Sequence, residues 1–266
     1  MAYMSSFSAF VFVVLATLLG AHGSTPMWKI GLEKSHNKYP LPSLPFTFEA
    51  MEPYLGKETL KMHYDIVLKD HARNLNNLLK EWKSTGNTLA MSSLAKIWRN
   101  ERTIPVEFRD DFYRYGGGYL NHVLYFATMS PPGTNSGRMI SNNFAQVVNR
   151  SFPSITKMKK EMFKLANETV FGSGWVFLVR DAGSNSLTLM TTTNEMSPLT
   201  IRDTAPILAL DMWEHAYLIK HGFSKKGYFD NWWQTIDWSK VEEIYNYWRQ
   251  AERTDENSSL PFVANN

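Results

Sequence analysis

One short stretch limits what this chain can fold into more than any other: an apolar run that ends in a carboxylate, with an imidazole four residues later. Residues 206–210 are apolar and predict a short buried strand. Asp211 follows directly, and His215 comes four positions after it. Because positions i and i+4 share one face of a helix, a helix that begins here would let both side chains reach the same cation. Two ligands do not complete a metal site, so further ligands are expected elsewhere in the chain.

The composition supports a globular protein without disulfides. The chain has 266 residues, 44% of them hydrophobic and 14% aromatic, which suffices for one large domain or two modest ones. Its formal net charge is +3 and it contains no block of Lys and Arg, so no nucleic-acid partner is predicted. The chain has no cysteine, which excludes disulfides, thiolate ligands and cysteine nucleophiles.

The N-terminal segment has the character of a cleaved secretory signal peptide. Residues 1–23 contain no Lys, Arg, Asp or Glu, and residues 10–19 are almost wholly apolar. We therefore predict removal of this segment and a secreted protein, or one in a secretory-pathway compartment. A plastid-type organelle reached through the signal peptide is the alternative. The apolar run is too short to span a bilayer, so no stable membrane span is expected after its removal. Secretion is consistent with the N-glycosylation sequons at Asn149, Asn167 and Asn257.

The first half of the chain predicts a helical domain. Residues 24–40 contain prolines and predict an extended lead-in. Within residues 41–130, helices are predicted over 57–82, 88–99 and 107–129. The glycines at 116–118 predict an interruption of the last of these helices, and the Ser-Pro-Pro-Gly sequence at 130–133 predicts a domain boundary.

The second half, residues 134–252, predicts strands flanked by helices. A β-hairpin is predicted from 175–180 and 186–192, and the strand at 206–210 follows it. Helices are predicted over 141–149, over 154–167, from Asp211 onward and over 239–249, and a polar tail over 253–266. Helices first, and then strands flanked by helices, predict an α+β fold.

Two further histidines are candidate ligands. His63 lies on the apolar stripe of the first predicted helix, and His122 lies on the apolar side of the third. A histidine in such a position is more often a packed core residue than a ligand. Together with Asp211 and His215, however, they form a set of three imidazoles and one carboxylate, which suits Fe, Mn or Zn better than Ca or Mg. This inventory does not separate a redox metal from zinc.

Five short segments, in order across roughly residues 40–250, resemble the iron/manganese superoxide dismutase family. They are Leu41–Phe46, Asn74–Asn77, Gly117–His122, Phe171–Trp175 and Asp211–Tyr217. The resemblance implies an N-terminal α-helical hairpin domain followed by a C-terminal α/β domain with a three-stranded antiparallel sheet. It also implies one Mn or Fe ion per chain, held by His63, His122, Asp211 and His215. The family disproportionates superoxide to dioxygen and hydrogen peroxide, so superoxide is the implied substrate.

The chain departs from the family outside the ligands. His71 stands where the family has its gateway Tyr, and Val67 where it has its gateway His. Leu218 replaces the Tyr that bonds to that His across the dimer. Glu195 stands at the place of the manganese-type Gln that hydrogen-bonds the solvent ligand. A neutral amide can donate that hydrogen bond, whereas an ionised carboxylate cannot.

Other outer positions match the family. The resemblance aligns Trp175 and Trp213 with the aromatic shell, where Phe126 replaces the usual Trp. It also implies a homodimer formed through the region of Glu214 and His215. The candidate catalytic residues are therefore His71, Glu195, Trp175, Trp213 and Glu214.

Two functions remain open from the sequence. The four ligands favour a metal-dependent superoxide dismutase with a modified outer shell. The lost gateway residues favour a metal-binding but catalytically silent relative that serves as a structural or interaction protein. A zinc hydrolase on the same ligands is weaker, because no separate general base is evident.

Overall fold

The computed structural model describes residues 25–133, 139–201 and 203–255, the last four without their side chains. The predicted signal peptide, the Asn257 sequon and most of the predicted polar tail lie outside the described residues. The predicted lead-in contains a short 3-10 helix, Met27–Lys29. Within it Trp28 is buried, so this segment packs against the rest of the protein. No helix among the described residues is long and apolar enough to cross a membrane.

The N-terminal part is built on two long helices. Helix α1 consists of Lys57–Met62, the π-helical segment His63–Leu68 and Lys69–Ser84, which follow one another without a break. Helix α2 is Leu94–Arg99, capped by Ser93, whose side chain accepts a hydrogen bond from the Lys96 amide. Helix α3 consists of Val106–Asp111, the π-helical segment Phe112–Gly116 and Gly117–Ala127.

The predicted interruption of α3 at its glycines is wrong, because the helix runs through them. Glycine has a low helix propensity, but here its lack of a side chain lets other groups approach the helix closely. A Cβ on Gly117 would lie 1.8 Å from the backbone oxygen of Glu195, and one on Gly118 would lie 2.3 Å from ring atoms of His71. The glycines therefore belong to the packing of α3 and do not end it.

The C-terminal part contains a three-stranded antiparallel sheet in the order β2-β1-β3. The strands are β1, Gly174–Asp181; β2, Ser186–Thr193; and β3, Thr204–Asp211. The register places Trp175 of β1 beside Asp211 of β3. Nearly all of β1 and β3 is buried, as their continuous apolar sequences require. The α+β fold class, with a helical hairpin before a three-stranded antiparallel sheet, is confirmed.

Helices surround this sheet. They are α4, Asn142–Ser151; α5, Ile155–Lys164 with the π-helical continuation Leu165–Thr169; α6, Glu214–His221; α7, Lys225–Trp233; and α8, Trp238–Asp255. The sequence analysis missed α7, although Ser224 caps it by accepting a hydrogen bond from the Gly227 amide. Helix α8 extends to Asp255, six residues beyond the predicted helix end at 249.

The two halves meet close to the end of α3. The Ser130 amide donates a hydrogen bond to the Thr235 oxygen at 2.8 Å, and the Asp237 amide donates one to the Thr128 oxygen at 2.8 Å. These backbone bonds fasten the segment after α3 to the turn between α7 and α8. They help hold the helical hairpin against the sheet domain, where the candidate ligands meet.

Candidate metal centre

Four separate pieces of backbone bring the candidate ligands together. His63 opens the π-helical segment of α1, and His122 lies in the middle of α3. Asp211 is the last residue of β3, and His215 lies in the first turn of α6. The two parts of the fold therefore each contribute two side chains to one cluster.

The donor atoms of this cluster converge. Asp211 Oδ2 lies 3.1 Å from His63 Nε2, 3.1 Å from His215 Nε2 and 3.6 Å from His122 Nε2. The Nε2 atoms of His122 and His215 are 3.4 Å apart. Donor atoms bound at about 2.1 Å to one ion lie roughly 3.0–3.6 Å apart for angles of about 90–120° at the ion. The spacing of the four atoms therefore fits a single metal ion.

The surroundings of the two buried imidazoles also fit a metal. His122 Nδ1 donates to the Gly118 oxygen at 2.6 Å, which leaves Nε2 without a proton and facing the cluster. Neither ring nitrogen of His63 has a hydrogen bond of acceptable geometry within the described part of the chain. A fully buried nitrogen without a hydrogen bond is costly. A metal ion beside His63 Nε2 would satisfy that atom.

The electrostatic environment favours the protonation states in which these groups can coordinate a metal. Burial lowers the pKa of His63, although the nearby Asp211 carboxylate works against it. Burial, and then His63, hold the pKa of His122 well below its ordinary value. Burial works to raise the pKa of Asp211, but His215 and His63 outweigh it and the net pKa is lowered. Neutral imidazoles and an ionised carboxylate are the forms that coordinate metals.

Comparison with protein families decides the identity of the fold. The α-hairpin domain of iron/manganese superoxide dismutases matches residues 38–130, and the C-terminal domain of the same family matches residues 140–244. The chain belongs to the iron/manganese superoxide dismutase family. Each of the two matched domains supplies two of the four residues of the metal cluster.

Two of the departures from the family, His71 and Glu195, form a second cluster beside the first. His71 and Glu195 lie together with His122, with their candidate ligand atoms within 4.8 Å of one another. Glu195 follows β2 and is buried. Its Oε2 accepts hydrogen bonds from Trp175 Nε1 at 2.9 Å and from Asn121 Nδ2 at 3.4 Å. Its Oε1 lies 3.7 Å from His71 Nε2.

Burial disfavours the charged forms of both His71 and Glu195. Burial, and then the charge of Asp211, raise the pKa of Glu195 well above its ordinary value, although Trp175 and Asn121 oppose the rise. Burial, and then His215, lower the pKa of His71 to about 4. Both shifts favour the uncharged forms, a carboxylic acid facing a neutral imidazole. As a protonated acid, Glu195 can donate a hydrogen bond, as the amide at this place in the family does.

His71 packs against α3 at Gly118, where its ring occupies the space that a side chain on Gly118 would need. Its ring centroid is 5.0 Å from that of His122 and 6.4 Å from that of Tyr115. His71 therefore lies on the side of α1 that faces His122.

Aromatic rings enclose the centre. Trp175 meets His122 edge-on at 4.9 Å, and Trp213 stacks on His215 at 5.8 Å. Tyr125 and Phe126 lie 5.0 and 5.1 Å from His63. These contacts exclude water from His63 and His122 while His215 keeps some exposure.

Sequence reasoning missed three residues near the site. Asn121 holds Glu195, and Tyr125 packs on His63 with its hydroxyl 3.3 Å from that of Tyr228. The first two are neighbours of His122 in sequence, which was an available signal. Tyr228 carried no such signal, because it lies on α7, a helix that was not predicted.

Glu214 is not part of the buried site. It is exposed and forms no hydrogen bond or ion pair within the described part of the chain. Val67 and Leu218, the apolar residues at the places of the family's gateway His and its partner Tyr, differ in exposure. Val67 is partly buried, whereas Leu218 on α6 is 42% exposed. Any role of Glu214 toward the metal therefore depends on another molecule.

Removing one ligand should remove the metal. We expect His122→Ala to lose stoichiometric metal and to have a lower thermal unfolding temperature, because binding to the native state adds to its stability. His36→Ala is the matched control, since His36 lies outside the cluster against Tyr39. Elemental analysis and thermal unfolding of both purified variants provide the measurement. Full metal content in the His122 variant would contradict the assignment.

Proposed function

We propose that this protein is a superoxide dismutase that uses one Mn or Fe ion, held by His63, His122, Asp211 and His215. The observation that carries the proposal is the convergence of these four donor atoms in a chain whose two domains both match the family. A bound Mn or Fe ion would supply the one-electron chemistry by which superoxide is converted to dioxygen and hydrogen peroxide.

The access to the centre suits a small anionic substrate. The side chains of His63, His122 and Asp211 are fully inaccessible, whereas those of His215 and His71 keep 18% and 12% exposure. Solvent therefore approaches on the side of His71 and His215. Superoxide is small enough to use such a narrow approach, and larger substrates are excluded by the enclosing rings.

Glu195 and His71 act as the polar groups that replace the family's Gln and Tyr. Because Trp175 and Asn121 hold Oε2 of Glu195, its other oxygen is left on the side of His71. Peroxide formation consumes protons, and it requires hydrogen-bonding groups beside the reacting oxygen. In this proposal the acid and the imidazole supply that network together.

The same pair supports a second candidate function. A metal-binding protein without turnover, with a structural or interaction role, would keep the four ligands and lose the outer groups of the family. The replacements at Val67, His71, Glu195 and Leu218 are the specific observation in its favour.

Metal content and turnover, measured on the same sample, separate the two functions. The expected result is Mn or Fe near one ion per chain, with superoxide consumed catalytically. Redox metal without turnover would support the silent relative, and zinc without redox metal would oppose both the proposed cofactor and the proposed reaction.

Two substitutions of Glu195 test the modified outer shell. Glu195→Ala removes the group held by Trp175 and Asn121, and we expect turnover per bound metal to fall about 10–100-fold, as outer-shell changes typically do. Glu195→Gln can accept the same two hydrogen bonds, so it should keep most of the turnover. Superoxide consumption normalised to metal content is the measurement. Equal turnover in wild type and the Ala variant would remove Glu195 from the mechanism.

We also propose a homodimer formed through the region of Glu214 and His215. Glu214 and Leu218 lie four residues apart on one side of α6, and Ile219 and Phe223 beside them are 57% and 92% exposed. Leu218→Asp should therefore shift the protein from dimer to monomer in sedimentation analysis. Val106→Asp, at a 77% exposed position on α3, is the matched control and should remain dimeric. A monomeric wild type would refute the dimer.

We propose that the protein enters the secretory pathway, with a plastid-type organelle as the alternative destination. The support is the uncharged, apolar segment 1–23. The mature protein from its native host is expected to begin at Ser24, as N-terminal sequencing would reveal. An intact Met1 would contradict cleavage. Asn149 and Asn167 are both exposed, so neither sequon is excluded by burial.

A further inference from the structure

A second concave site lies at the far end of the sheet from the metal centre. It is a cleft of about 750 Å³ between α4, the hairpin end of β1 and α8. Trp175 at the start of β1 touches His122, and Arg180 in the cleft wall comes five residues later on the same strand. At about 3.3 Å per residue, the two positions are roughly 17 Å apart along the strand. The cleft is therefore separate from the metal centre.

Arginines outnumber carboxylates among the described side chains that line this cleft. Arg150 from α4, Arg180 from β1 and Arg249 from α8 line it, and Glu242 is the one carboxylate among those described. Arg150 and Arg249 are exposed and form no hydrogen bond or ion pair with the described residues. Arg180 is 4% exposed and donates to Asn185 Oδ1 at 3.4 Å, which helps hold it in the wall. Guanidinium groups from three different elements thus meet around one space.

The remaining lining consists mainly of aromatic and polar side chains. Phe144 and Tyr245 are buried beneath the cleft, and the Arg180 guanidinium lies 5.9 Å from the Tyr245 ring. Val147 and four carboxamide side chains complete the lining; the carboxamides are Asn143, Gln146, Asn185 and Asn246.

Both helices present these groups at helical spacing. Asn143 and Arg150 are seven residues apart on α4, and Glu242 and Arg249 are seven apart on α8, so each pair shares one helix face. The groups therefore sit on rigid elements, as a preformed binding site requires.

We propose that this cleft binds a small organic phosphate. A guanidinium group matches a phosphate by two parallel hydrogen bonds. Carboxamides both donate and accept, so they can recognise the hydroxyl groups or base edge of an attached organic part. The cleft volume lies within the range of small-molecule sites. An inorganic anion would use the arginines and make no use of the carboxamides of Asn143, Gln146 and Asn246.

Calorimetric titration of the metal-loaded protein at about 0.15 M salt tests this inference, with adenosine 5′-monophosphate, glucose 6-phosphate and inorganic pyrophosphate as probes. We expect at least one organic phosphate to bind ten times more tightly than pyrophosphate. The double variant Arg150→Glu/Arg249→Glu should weaken that binding at least tenfold. Metal content and superoxide consumption should not change, because the cleft is remote from the metal ligands.

The matched control is Lys157→Glu/Lys160→Glu, two exposed positions on α5 with the same change in net charge. It should leave binding within about threefold of wild type, because salt at this concentration screens charges beyond about 8 Å. Binding no tighter for the organic phosphates than for pyrophosphate would overturn the proposal. Equal weakening in the two double variants would also overturn it, since it would mean long-range attraction without a site.

Discussion

The structure depends on one shared oxygen, Asp211 Oδ2, which lies within 3.6 Å of three imidazole nitrogens. A fully buried carboxylate costs desolvation free energy, and the contacts of Asp211 with His215 and His63 outweigh that cost. A cation in their midst would also satisfy His63 Nε2, and metal binding would then be coupled to folding. Because the helical hairpin and the sheet domain each supply two of the groups, the same ion would also hold the two halves together.

Two of the residues that set this chain apart from its family, His71 and Glu195, lie together in space. His71 can pack where it does because Gly118 has no side chain, and Glu195 can approach α3 because Gly117 has none. Glu195 in turn takes hydrogen bonds from Trp175 and Asn121 while its other oxygen lies near His71. A change at one of these positions therefore alters the packing of the others. His71 and Glu195 are therefore better treated as one coupled replacement than as two independent substitutions.

Much of the architecture could be predicted from local patterns, and the failures have local causes. The apolar periodicity of α1 and the turn between β1 and β2 were sufficient signals for those elements. The glycines of α3 were misread, because propensity describes an isolated helix and their close contacts with Glu195 and His71 come from distant parts of the chain. Helix α7 was missed for a similar reason: its buried face, including Tyr228, is defined by what packs on it.

The sequence by itself determined the order and chemical types of the candidate ligands, since His63, His122, Asp211 and His215 are recognisable from residue identity and motif. It also indicated the family, because five matching segments in the same order are compatible with few other folds. Only the tertiary structure decided the burial of Glu195 and His71 and the direction in which their pKa values shift. The same holds for the exposure of Glu214 and for the three arginines that line one cleft far from the metal centre. The physical reason is that desolvation and charge depend on neighbours from other elements, and a linear sequence does not specify how close those neighbours come.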